Sequence, residues 1–139
     1  MDSEILTKKV LVLKRDPDLR SDVFDIPLPE DGKTLVIKAM TYPILLPQGI
    51  YMIAGWDVGE KKPGMLFLNH TLFPAMRRWV RDFMQPIQEN VFEIVPSRIG
   101  GGVQHDLISL GRSMRLDEEE GVRMKAFLDD MLGEIEVPI

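Results

Sequence analysis

Residues 69–87 read NHTLFPAMRRWVRDFMQPI, and within this stretch the spacing of apolar side chains changes period. Leu72, Met76, Trp79, Val80, Phe83 and Ile87 recur at three- and four-residue spacing, which puts them on one face of a helix rather than on alternate sides of a strand. Thr71 is the expected N-cap, and Pro74 falls in the first turn, where a missing N–H costs little. Pro86 stops the helix after Gln85. Arg77, Arg78, Arg81 and Asp82 then occupy the opposite, solvated side.

Upstream of this helix the chain has strand character. Lys8 to Lys14 (KKVLVLK) is a β-rich run that ends at Asp16-Pro17, because proline disfavours helix at the residue before it. Asp16 to Lys33 is acidic, proline-containing and closed by Asp31-Gly32, which predicts a surface loop. Thr34 to Met40 (TLVIKAM) and Gly49 to Gly55 (GIYMIAG) are two further strands, joined across Pro43 and the Pro47-Gln48-Gly49 turn into an antiparallel hairpin. After the charged turn Glu60 to Gly64, Met65 to Leu68 is short and apolar enough for a fourth strand.

Downstream, Val91 to Val95 and Asp106 to Leu110 read as two strands around the link Gly100-Gly101-Gly102. A second helix opens on a capping box, Asp117 with Glu120. It carries the apolar stripe Met124, Phe127, Leu128, Met131 and Ile135, and Gly133 is expected to end its regular part. The order ββββαββα lacks the strand-helix alternation that builds parallel sheets. The expected fold is therefore α+β: a mostly antiparallel sheet of five to six strands with two packed amphipathic helices.

The bulk composition agrees with this reading. A chain of 139 residues, 45% hydrophobic and 28% charged, predicts a single globular domain over residues 1–139. With 17 basic and 22 acidic residues the net charge is −5, which disfavours nucleic acid as a partner. The absence of cysteine excludes disulfides and thiolate chemistry. Met1 to Thr7 lacks the pattern of a signal peptide, and Ala39 to Gly55 is too short and too broken by proline to span a bilayer. A cytoplasmic location without membrane contact is expected.

The sharpest local feature is SRIGGGVQHD at 97–106. Arg98 beside the free backbone of Gly100, Gly101 and Gly102 offers an anion or phosphate site, with His105 and Asp106 as neighbouring acid and base. A flexible hairpin connection accounts for the glycines with less machinery, since neither a spaced-glycine fingerprint nor a Lys-Ser/Thr signature follows. On one strand His105 and Asp106 point to opposite faces, so a hydrolase triad with Ser109 or Ser113 is not expected. The only histidines are His70 and His105, and their spacing predicts neither a metal site nor a cofactor. Asn69-His70-Thr71 matches a glycosylation acceptor, a common chance match.

Arg77, Arg78 and Arg81 suit recognition of a carboxylate- or phosphate-bearing partner, and Trp56, at a strand end after Gly55, suits a half-exposed interface position. Most of the nine methionines are expected in the core. By elimination, the sequence favours a non-enzymatic protein-binding module of inhibitor, immunity, counter-defence or adaptor type. One alternative is a small-ligand or phosphate-binding enzyme using Arg98, Gly100 to Gly102, His105 and Asp106. Another is a phage-type or other assembly subunit that forms homo-oligomers.

Overall fold

A computed structural model of the chain describes residues 6–14, 25–30, 32–46 and 49–139. In chain order its elements are β1 (Thr7–Leu13), β2 (Asp25–Ile26), β3 (Leu35–Ala39), β4 (Ile44–Leu45), β5 (Tyr51–Asp57), β6 (Lys62–Leu68), α1 (Leu72–Phe83), β7 (Val91–Ile99), β8 (Gly102–Gly111), α2 (Glu118–Met131) and β9 (Leu132–Pro138). The fold is α+β and mostly antiparallel, as the sequence predicts. The main sheet runs β2-β6-β5-β3-β7-β8, with β4 beside β5, and β2 pairs with β6 in parallel. Most of the expected loop at 16–33, and Pro47-Gln48 of the expected turn, lie outside the described residues.

Strand alternation divides the core between the two faces of this sheet. Ile37, Ile53, Leu66, Phe92 and Ile94 point to one side, where α1 covers them with Leu72, Met76 and Trp79. Met52, Ala54, Trp56 and Met65 point to the other side, where Met124 and Met131 of α2 meet them. The result is three layers, helix on sheet on helix. In the middle layer Gly55 and Gly64 face each other across β5 and β6. A Cβ on Gly55 would stand 2.7 Å from Ile37 Cδ1 and 2.8 Å from the Lys38 carbonyl oxygen, so only glycine lets Ile37 fill that place.

Lys38 is the unexpected occupant of the interior, only 4% exposed. Its Nζ donates to the Met114 carbonyl at 2.8 Å and pairs with Glu89 Oε2 at 3.2 Å. These partners satisfy the buried ammonium and tie the segments entering α2 and β7 to the central strand.

Four expectations need correction. β1 does not join the main sheet; it pairs antiparallel with β9 in a separate two-stranded ribbon. β9 begins one residue after α2, so Ile135 lies in a strand opposite Val10 and does not continue the helical stripe. Gly133 does not end the helix either, because Leu132 has already turned to extended backbone at φ −121°, ψ 143°. Finally, α1 stops at Phe83, before Pro86 can act. Met84 takes the left-handed conformation at φ 53°, ψ 40°, and its N–H closes on the Val80 carbonyl.

The last hairpin is longer than expected, since β7 and β8 pair all the way from Val91 with Gly111 to Ile99 with Gly102. Only Gly100 and Gly101 form the turn, with φ of +62° and +87°. Two successive positive φ values are what a tight hairpin turn of the matching twist demands. No helix is long and apolar enough to cross a membrane.

Candidate functional site

Helix α1 lies on the sheet with a groove along each flank, and the two grooves differ in chemistry. Toward β8 the groove is polar and holds about 680 Å³, bordered among others by His70, Arg78, Asp82, Gln104, His105 and Asp106. Toward β5 it is apolar and holds about 390 Å³, lined by Pro43, Tyr51, Phe73, Met76, Val80 and Ile87, with Arg77 and Arg81 at its rim.

The start of α1 is fixed by Asn69 and not by the Thr71 side chain. Asn69 Oδ1 accepts from the backbone N–H of Thr71 at 3.0 Å and of Leu72 at 2.8 Å, and from the Thr71 hydroxyl at 2.9 Å. With its oxygen so occupied, Asn69 presents its NH₂ to His105 Nδ1 at 3.2 Å. The other ring nitrogen, Nε2, lies 3.1 Å from the Pro29 carbonyl oxygen, which can only accept, so the ring proton sits on Nε2. The His105 backbone N–H donates to the Thr71 hydroxyl at 3.2 Å. His105 therefore joins β8, the start of α1 and the segment after β2. With both ring nitrogens engaged, it is not poised as a general base.

Of the other predicted ligand residues, some are brought near His105 and some are not. Asp106 is exposed and, as expected, points to the sheet face opposite His105. Arg98 shares a separate pocket of about 480 Å³ with Leu28, Pro29, Glu30, Val103 and His105. Gly100 and Gly101 stand at the open hairpin tip, where an added Cβ would meet nothing within 4 Å, whereas Gly102 belongs to the β7–β8 ladder and borders the polar groove. Gly100 and Gly101 thus supply the positive φ values of the hairpin turn, and Gly102 a rung of its ladder. Among the described residues no group of three or more histidine, aspartate or glutamate side chains is placed to hold a metal ion.

The predicted partner residues divide. Trp56 is fully buried at 0% exposure, with the Arg123 guanidinium 5.3 Å above its ring, and cannot touch a partner in this structure. β5 runs on to Asp57, so alternation sends Trp56 into the core beside Ala54 and Met52. Arg77, Arg78 and Arg81 are exposed on α1 as expected. Arg77 stacks over Phe73 at 5.8 Å, and Phe73 in turn stacks on Tyr51 with ring centroids 4.0 Å apart. Arg81 Nε donates to Asp82 at 3.2 Å.

Sequence reasoning missed the apolar side chains that α1 leaves in solvent. Val80 and Phe83, assigned to the buried face, are 38% and 60% exposed, and Met84, one of the nine methionines of which most were expected in the core, is 87% exposed. The signal was present for Phe83 and Met84, which are adjacent in sequence and so cannot both follow one buried helical stripe. Compared with protein-family models, with curated proteins and with solved structures, the chain matches none.

Proposed function

We propose that this protein is a protein-binding module whose contact surface is the exposed side of α1. The observation that carries this reading is the pairing of solvent-facing Val80, Phe83 and Met84 with a three-arginine ridge beside an apolar groove. Large apolar side chains set among arginines are the composition of interface centres, where burial supplies affinity and the guanidinium supplies orientation. The left-handed backbone at Met84 adds weight. A methionine occupies a position that glycine fills at lower cost, and the side chain it displays is almost wholly in water.

A small-ligand enzyme reading draws on the polar groove, which Arg78, Gly102 and His105 border while the Asp106 side chain turns to the other face of the sheet. Against it stands the occupation of both His105 ring nitrogens by structural hydrogen bonds. The inhibitor, immunity, counter-defence and adaptor roles are all forms of the binding module, and each requires a protein partner on α1.

The test is comparative capture from an extract of the source cells, using wild type and a Val80→Glu/Phe83→Glu variant of unchanged circular dichroism. A stoichiometric protein that wild type retains and the variant loses is the expected result. An identical set of captured proteins, or a co-purifying metabolite in place of any protein, would count against the module.

A further inference from the structure

We infer that the apolar groove beside α1 receives an acidic, amphipathic peptide segment of the partner, with an aliphatic or aromatic side chain in the groove and carboxylates on Arg77 and Arg81. This rests on the reading of α1 as the contact surface. The lining is apolar except at its rim, and both charged residues there are arginines, with no acidic residue among the lining residues. Over the whole chain acidic residues outnumber basic ones by 22 to 17, so this cationic rim is a local reversal of the molecule's charge.

The two arginines are unequally free. Arg81 already donates through Nε to Asp82, whereas Arg77 makes no ion pair with any described residue. Stacking over Phe73 holds the Arg77 guanidinium near the groove, so less side-chain freedom remains to be lost when a carboxylate docks. A planar guanidinium held in this way favours a bidentate carboxylate over a point-like contact.

The shape selects a peptide rather than a compact ligand. Phe73, Arg77, Val80, Arg81 and Met84 follow one another at helical spacing along the exposed flank. At 1.5 Å rise per residue that stripe is about 17 Å long. A groove of about 390 Å³ spread beside it accepts one or two side chains, while the exposed Val80 and Met84 continue the contact outside. Laying an amphipathic segment into such a groove is a recurrent mode of recognition.

A random peptide display library selected on the full chain tests this, with binding placed by backbone amide shifts and measured at rising sodium chloride. The expected pool combines Asp or Glu with Leu, Ile, Phe or Trp and shifts Arg77, Val80 and Arg81. It also weakens with salt and loses roughly tenfold in affinity for Arg77→Ala/Arg81→Ala. The same arginine pair changed to Glu should turn the preference to lysine-bearing peptides. Enriched peptides that lack acidic residues, yet shift the same amides, would overturn the acidic occupant and leave α1 as the contact surface. Peptides that shift no α1 amide would overturn both. Failure to enrich any peptide, with the fatty-acid anion dodecanoate shifting the groove amides instead, would also overturn the peptide.

Discussion

His105 illustrates how a residue that invites a catalytic reading can be absorbed by the fold. In sequence it stands next to Asp106 and near two serines, but β8 turns Asp106 to the opposite face, and Asn69 and the Pro29 carbonyl take both ring nitrogens. Removing the imidazole leaves the Asn69 NH₂ and the Pro29 carbonyl without partners in a mostly buried place. His105→Ala should therefore lower unfolding free energy by about 3 kcal/mol, the sum of lost packing and unpaired polar groups. Urea denaturation measures it, and a wild-type midpoint would show that the network does not hold the fold. The opposed faces of His105 and Asp106 were legible from strand period alone. The Asn69 partnership was not, because it joins positions 36 residues apart in sequence. The same holds for Lys38, whose partner carbonyl on Met114 is 76 residues away.

Elements were legible where their own period is long enough to declare them. All six expected strands are present, and the capping box of α2 forms as read: Asp117 accepts from the Glu120 N–H at 2.8 Å, and Glu120 returns the bond to Asp117 N–H at 3.1 Å. β9 was missed because it starts without a loop. A helical stripe through Met131 was extended to Ile135, although Ile135 and Val137 alternate with Glu134 and Glu136 in a strand pattern. A lone N-terminal strand ought also to have demanded a partner, since an unpaired run of backbone donors is costly.

The end of α1 gives the prediction proper to this scale. Met84 sits in a left-handed conformation whose cost for a side chain is about 1 kcal/mol, and its 87% exposure offers no compensating burial. Met84→Gly should thus raise stability by roughly 0.5–1 kcal/mol while weakening partner binding. Thermal unfolding and capture by the partner read the two effects separately. A destabilised Met84→Gly variant would mean that Met84 packs in a way this geometry does not contain.

At the scale of the whole molecule, the two core clusters lie on opposite faces of one sheet, so neither can form without the strands that carry the other. Ile53 belongs to the α1 side, while its neighbours Met52 and Ala54 belong to the α2 side. That coupling argues for one cooperative unit. The chain carries two tryptophans, and the fold has placed one on each side: Trp79 beneath α1, edge-on to Phe92 at 5.0 Å, and Trp56 beneath α2. In Trp79→Phe the fluorescence of Trp56 reports the α2 layer, and in Trp56→Phe that of Trp79 reports the α1 layer. Each substitution shifts the midpoint, so the comparison is made within each variant, against far-ultraviolet circular dichroism in the same urea series. For a single cooperative domain the fluorescence and dichroism midpoints coincide in both variants. Separation of the two signals in either variant would mean that one layer melts while the other persists, and the sheet would then not be the common element that joins α1, with its exposed arginines and apolar groove, to the rest of the fold.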